Sequence, residues 1–511
     1  MAANVEYLLH HLLTSGARPE QVDELAERAQ VVLAMARDLA LGFAERFPYY
    51  DRMQRYYEGR PPMPRSPERI TAKYRELLFA ARSNWCGLVV DVVDERLRIG
   101  SVRSSANPVK DPTLWKWWQA NNMDGASTQI HNTALRLGCC YVSCWPNGDG
   151  IPKIMGESPM GCFVDYDLET DEALAAIRIW HNPRTGIVYA DLTLPDFQFK
   201  LASTEPLKVE QLIEPAHEWM YEGINLENIE WAFREDVEDP VLINAQGEVP
   251  YKVMRTMPDL MGGYRSEIEG ITPIQDRINR TNFDRLVTQE MAAFPQRWVT
   301  GIEIPLDPET GQPREPFNAA IDRVWTASEP DVKFGQFPVA ELDNYLAAVT
   351  SDTQALATQS RTPPHYLIAG MGQFPSGESV RATEYGLTRK IQSRQQSYGD
   401  TWADVLRLAA KVGRKPRLAK DMEVGVVWDN VEARSEGEIV DALLKMATLR
   451  VPLPALWQRW GANPAEIESW ERLVSQEDTA TAAAEQAEAQ AQAARQQQAD
   501  ALASEVQQSA F

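Results

Sequence analysis

The stretch from Ser376 to about Val412 sets the scale of this chain. Val380, Leu387, Ile391, Tyr398, Trp402, Val405 and Ala409 recur at helical spacing. The spacing predicts one amphipathic helix of about 50 Å at 1.5 Å per residue. Most helices of single domains are far shorter, so a helix of this length spans a domain or belongs to a large assembly. Upstream, Thr272-Pro273-Ile274-Gln275 reads as a capped start with proline at the first helical position. Ile271, Ile274, Ile278, Leu286 and Phe294 keep an apolar stripe until Pro295. A second helix is expected over residues 339–360, with Leu342, Leu346, Val349 and Leu356 on one face. The two helices enclose a compact insert, about 296–337, with strand-like runs at 298–304 and 323–327 around a turn at 307–311. This is a stalk with a tip, and its polar faces suit a surface shared between subunits or lining water.

Thr362-Pro363-Pro364 ends the second helix. A glycine-punctuated, apolar loop follows, through His365, Tyr366, Met371, Gln373 and Phe374 to Pro375. A loop of this kind is either a buried plug or functional.

The first half reads differently. Val22, Leu25, Ala29, Val32 and Met35 predict a helix, and a second one from about Asp38 is expected to break near Pro48. Prolines from 61 to 67 mark an extended connector. Residues 84–100 read as a long amphipathic helix through Val89, Val92, Val93 and Leu97. Trp115, Trp117 and Trp118 suit a core or a subunit contact better than a cofactor site. Strands are expected at 141–145, 176–180, 187–192, 197–201 and 249–255, separated by turns such as Asn147-Gly148-Asp149-Gly150 and Asn182 to Gly186. The fold class is α+β with a mostly antiparallel sheet. After the long helix come the basic run Lys411, Arg414, Lys415, Arg417 and Lys420, read as favouring the helix macrodipole over DNA contact. A strand is expected at 424–428, then short helices at 436–449, 454–460 and 464–474. Residues 476–511 hold 13 alanines and 9 glutamines and almost no large apolar stripe, so they read as a frayed or assembly-dependent helix.

Composition removes whole classes of function. With 51 basic against 73 acidic residues the formal net charge is −22, against a broad basic face for nucleic acid or docking on an anionic membrane. No apolar run reaches membrane-spanning length, and the first fourteen residues lack the basic start of a signal peptide. The five cysteines are too few for a disulfide scaffold, and Cys139, Cys140, Cys144 and Cys162 read as small buried hydrophobes. Synthesis in a reducing cytoplasm is the default expectation. No P-loop, no H-E-x-x-H, no G-x-S-x-G and no nucleotide-binding G-x-G-x-x-G occurs. His10, His11, His131, His181, His217 and His365 are too scattered for a metal site. Carboxylates are abundant, but no pair stands out as a glycosidase-type couple.

Taken in order, these parts resemble one family, the portal proteins of tailed bacteriophages of the siphophage type with a Gp6-like domain. The residues that carry the resemblance are Tyr56-Tyr57-Glu58-Gly59, Asn84-Trp85 through Gly100, Leu114 to Trp118 with Asn121-Asn122-Met123-Asp124, and Ala134 to Gly138. Pro375-Ser376-Gly377-Glu378-Ser379 and Val427-Trp428-Asp429 complete the set. The resemblance implies a portal-like fold: a wing over 1–260 and 377–431, stem helices at 261–294 and 338–361, and a clip at 295–337. It also implies a tunnel loop at 362–376 and a crown with its tail at 432–511. It implies a non-enzymatic ring, a dodecamer at one capsid vertex, without cofactor or metal, that nucleates procapsid assembly and conducts double-stranded DNA in packaging and ejection. The implied partners are terminase large subunit, head-tail adaptor, major capsid and scaffolding proteins; the implied location is the virion, after assembly in the host cytoplasm. His365, Tyr366, Met371, Gln373 and Phe374 would face the channel, and Glu303, Asp307, Glu309, Arg314 and Glu315 would dock terminase or adaptor. The alternatives are another virion ring or adaptor and a carboxylate-dependent hydrolase.

Overall fold

Along the chain run α1 (Pro19–Tyr57), α2 (Ala72–Ala80), α3 (Trp85–Asp94), β1 (Ile99–Arg103), α4 (Pro112–Ala120), α5 (Met123–Leu137), β2 (Cys139–Trp145), β3 (Lys153–Glu157), β4 (Cys162–Tyr166), β5 (Ala173–His181), β6 (Val188–Thr193), β7 (Phe197–Ser203), β8 (Trp231–Phe233), β9 (Val241–Ile243) and β10 (Tyr251–Arg255). Then come α6 (Thr272–Ala293), β11 (Arg297–Thr300), β12 (Lys333–Gln336), α7 (Asp343–Ser360), α8 (Pro364–Leu367), α9 (Gly377–Val412), α10 (Pro416–Ala419), β13 (Gly425–Trp428), α11 (Glu436–Thr448), α12 (Leu453–Trp460) and α13 (Pro464–Gln508). This structure is a computed structural model. It describes residues 19–61, 72–206, 229–293, 297–301, 311, 331–336, 341–368, 377–431, 436–462 and 464–508. Strand pairing is antiparallel throughout the described residues, in keeping with the α+β class. The chain divides into two compact units: one made of 1–51, 90–267 and 385–511, the other of 52–89 and 268–384.

In the first unit, the strands run β4-β5-β6-β7-β8, with β9 also on β7. Their alternation puts Ile177, Ile179, Ala190, Leu192, Phe199, Leu201 and Phe233 in one core, against Ala29, Val32, Ala36, Leu39, Ala40 and Phe43 of α1. A second sheet, β10-β2-β3, has β2 at its centre. Both faces of β2 are covered, so Cys139, Cys140, Tyr141, Val142 and Cys144 are all buried. All five cysteines are free and buried, the four from Cys139 to Cys162 as read from the sequence. Burial pushes the Cys86 and Cys144 thiols up to about 12, so they stay protonated and unreactive.

Helix α9 is held along β10 by hydroxyls: Ser397 Oγ donates to the Arg255 carbonyl (3.3 Å) and Thr401 Oγ to that of Val253 (3.3 Å). Its stripe of Leu387, Ile391, Tyr398, Trp402, Val405 and Ala409 is fully buried, as the spacing predicts; the burial of Val380 lies outside the described residues. At its middle sits His131, wholly buried, with Tyr398 stacked on it (5.5 Å between ring centres) and Trp402 and Trp428 at 5.9 and 5.4 Å. Trp118 meets Trp402 edge-on at 5.2 Å. The Trp402 indole donates to His131 Nε2 (2.9 Å), so the ring proton lies on Nδ1, 3.2 Å from the Leu97 carbonyl. Burial drives the His131 pKa down to about 3, partly opposed by that carbonyl. Trp117 and Trp118 of α4 are thus core, whereas Trp115 is only half-buried, with Lys110 over its ring at 5.6 Å.

One carboxylate with two cations pins the N-terminal part of this helix run. Glu267 receives Lys390 Nζ at 2.8 Å and Arg394 Nη2 at 3.1 Å, and all three side chains are buried. Burial raises the Glu267 pKa; the two cations outweigh it and hold the carboxyl below its ordinary value.

In the second unit α6 and α7 run antiparallel. Gln359 Nε2 donates to the Gly270 carbonyl (2.6 Å), Arg277 meets Asp352 (2.7 Å), and Thr288 meets Tyr345 (3.3 Å). The ladder continues past the helices, where Arg297 pairs with Gln336 and Thr300 with Lys333. Ser83 and Trp85 are tied to α6 through Gln275 and Asn279, and Tyr56 donates to Asp276 (2.8 Å).

Three readings are corrected. Pro48 does not end a helix: α1 runs through it. Proline there removes one backbone bond and crowds the preceding turn, but Tyr49 accepts from Ser266 N (2.8 Å) and the Tyr50 and Tyr264 hydroxyls meet at 2.5 Å, which holds the next turn in place. The helix expected over 84–100 stops at Asp94, because residues 99–103 form β1 on β13, with Val102 opposite Val426. The short helix expected over 464–474 is instead the start of α13, which runs on to Gln508.

Candidate functional site

The proline pair after α7 fixes how the following loop begins. Thr362 is buried, Pro363 is extended (φ −55°, ψ 133°), and Pro364 starts the single turn α8. Leu367 is buried below that turn, so His365 and Tyr366 lie on its outer side, their rings 4.5 Å apart. The Tyr366 hydroxyl donates to Glu384 Oε1 (3.1 Å), and His365 Nε2 lies 3.9 Å from the same oxygen. Glu384, on α9, thus clasps the loop's entry to its exit. The sequence singled out His365 and Tyr366 but not Glu384, since an acid on a helix usually faces water. Met371, Gln373 and Phe374 lie outside the described residues, as do Glu303, Asp307, Glu309, Arg314 and Glu315.

The helices that lead to this loop carry no basic excess. Asp343 and Asp352 are the only charged residues of α7, while α6 carries Asp276, Arg277, Arg280, Asp284, Arg285 and Glu290 in balance. Arg277 and Arg280 are paired with Asp352 and Asp284. Along α7 only Thr353, Leu356, Ala357 and Ser360 are buried, whereas Leu346 of the expected stripe is 47 % exposed. A cavity of about 460 Å³ beside α6 is lined by Leu78, Arg82, Asn279, Arg280 and Phe283 among others. The Arg82 guanidinium lies over the Phe79 ring at 4.6 Å.

The acids that look most like a catalytic pair are internal. Glu157 is buried, with Arg178 at 3.3 Å, and Asp191 stands opposite Arg178 in the β5–β6 register. Burial raises both carboxyls, and Arg178 opposes that rise. They link one sheet to the next. Among the described residues no three His, Cys, Asp or Glu side chains gather as a metal site, and no helix is long and apolar enough to cross a membrane.

Comparison with known proteins gives one consistent result. Residues 39–498 match the family described as phage portal protein, SPP1 Gp6-like. The portal protein of Mycobacterium phage D29 is 27 % identical over 410 residues, covering 76 % of this chain and 77 % of the relative. The portal protein of Mycobacterium phage L5 is 25 % identical over 442 residues, covering 84 % and 83 %.

Proposed function

This chain belongs to the SPP1 Gp6-like family of tailed-phage portal proteins, and we propose from that premise that twelve copies close into a ring through which double-stranded DNA is packaged and ejected. Portal proteins are virion components at the capsid, and the family is a structural one. On this reading 1–260 and 377–431 form a wing, α6 and α7 the stem, 295–337 the clip, 362–376 a loop facing the channel, and 432–511 the crown. The ring nucleates the procapsid with the major capsid and scaffolding proteins in the host cytoplasm. It then docks terminase and afterwards the head-tail adaptor.

What carries the reading is the order of parts: an antiparallel helix pair continued by paired strands, a clasped loop, and a 36-residue helix. A pore for a sliding duplex needs weak contacts, because each firm phosphate contact releases counterions and adds affinity. The lack of any basic excess on α6 and α7, which together hold five acids and three bases, and the net charge of −22 meet that need. Electron micrographs of the purified full chain seen end-on test it: a symmetric annulus wide enough for a duplex is expected, and particles without one overturn it.

Two substitution sets sharpen the segment roles. Gln373→Ala with Phe374→Ala is expected to leave rings intact and lower retained DNA severalfold; failed assembly would make the loop structural. Charge reversal at Glu303, Asp307, Glu309, Arg314 and Glu315 is expected to spare rings and weaken terminase or adaptor binding; unchanged binding removes the docking role.

A further inference from the structure

Two turns of the first unit, far apart in sequence and joined by one ion pair, expose large apolar side chains. In the β4–β5 turn, Asp167 Oδ1 accepts from Glu169 N (2.7 Å) and Asp171 takes a left-handed φ of 55°. Leu168 is left 91 % exposed, flanked by the exposed Glu169 and Glu172. After β10, Met257 has φ 47° and Asp259 Oδ1 accepts from both Met261 N and Gly263 N (2.8 Å each). Leu260 is then fully exposed and Met261 87 % exposed. Arg255 ties the turns together with a bidentate pair to Asp171 (2.7 and 2.8 Å). Left-handed backbone at non-glycine residues is costly and persists where the surroundings impose it. Here it holds leucines and a methionine in water, the arrangement of a contact surface.

The opposite chemistry stands at the C-terminal end of α9. Lys411 is taken by Glu248 (2.6 Å). Arg414, Lys415, Arg417 and Lys420 are exposed and make no ion pair among the described residues. The turn carrying them is fixed: Lys415 N donates to Ala410 O (2.8 Å), and Asp421 accepts from Ser105 N (2.9 Å) and Oγ (2.7 Å). The helix macrodipole acts within the last turn only, so it accounts for Lys411 but not for Arg417 or Lys420. Met422, 81 % exposed, adds an apolar side chain beside these cations.

The two surfaces cannot meet within one chain. Arg255 lies level with Ser397, and from Ser397 to Val412 is about 22 Å along the helix at 1.5 Å per residue. We propose that the acidic, leucine-tipped edge of one copy receives the basic turn 414–420 of the next copy, head to tail. The inference rests on the reading of the chain as one of many identical copies. Such a contact uses different faces of each subunit and so propagates from copy to copy, into a ring when the rotation between neighbours closes. Matched charge on the two faces sets register and disfavours wrong pairings in an otherwise acidic assembly.

The test uses the full chain and scores ring fraction by mass photometry and end-on electron microscopy at low salt. Lys415→Glu with Arg417→Glu, and separately Glu169→Lys with Glu172→Lys, are each expected to lower the ring fraction at least tenfold. All four changes together are expected to restore it to within threefold. Wild-type rings with a yield insensitive to either reversal overturn the contact and leave the ring reading standing. Absence of wild-type rings overturns both. Reversals of the basic turn that spare the ring and abolish duplex retention assign that turn to DNA and overturn the contact. A mixture of Leu168→Cys and Arg417→Cys chains gives an independent measure, since the native cysteines are buried. An oxidised inter-chain dimer is expected, and its absence in intact rings removes the proposal.

Discussion

Helix α9 and the pair α6–α7 come from one chain and differ in what they commit to. In the first unit the stripe of α9 is buried from Leu387 to Ala409 and its polar groups are answered by named partners. In the second, α7 buries only its C-terminal part, and Leu346 faces solvent although it lies on the expected apolar stripe. A helix satisfied by its own chain is an internal strut. A helix with part of its apolar face left open has packing still to be supplied, and on the ring reading a neighbouring copy supplies it.

The largest expected difference follows from Glu267. Glu267→Gln leaves Lys390 and Arg394 buried without a countercharge, at a cost of about 3–5 kcal/mol in chemical denaturation. Arg277→Gln, which breaks the exposed Arg277–Asp352 pair of α6 and α7, is expected to cost less than about 1 kcal/mol. Equal losses would erase the contrast.

Acidity separates the regions next. His131 is neutral in the fold with a pKa near 3, against an unfolded value of about 6.5. The unfolded chain therefore gains its proton first. Stability is complete above about pH 6.5 and falls by up to about 1.4 kcal/mol per unit as pH drops toward 3. Glu267, with its pKa depressed, adds a loss at the acid end, as its carboxylate is protonated. Replacing His131 by Gln is expected to flatten the loss between pH 6.5 and 4.5, and an unchanged acid-unfolding profile removes His131 as its source.

The smallest effect on the single chain is expected at Leu346. Leu346→Ser should alter monomer stability by no more than about 0.5 kcal/mol, because much of the side chain is already in water. The same change should lower ring yield if that face meets another copy. A large loss of monomer stability would show the face to be internal after all.

Much of this was legible because it is local. The stripe of α9, the proline and glycine punctuation around His365 and the turns at Gly150 and Gly186 are encoded within a few residues. The misreadings share a different cause. Residues 99–103 continue the stripe of α3 through Leu97, and their strand partner lies at 425–428; no local pattern reports such a pairing. Pro48 is overridden by tyrosine contacts with residues 264 and 266. His131 looks like a stray histidine until Trp402 and Tyr398 are folded against it. The same limit hid Glu384 at the loop and Leu168 at its turn, since an acid and a leucine acquire meaning there only from neighbours far along the chain.

The paired strands beyond α6 and α7 carry one more consequence. Arg297 faces Gln336 and Thr300 faces Lys333, so the chain leaves and re-enters this pair of strands at points about 5 Å apart. A segment joined to its scaffold through two neighbouring strands tolerates changes of length at small entropic cost, since each doubling of a loop adds only about 0.6 kcal/mol of closure entropy.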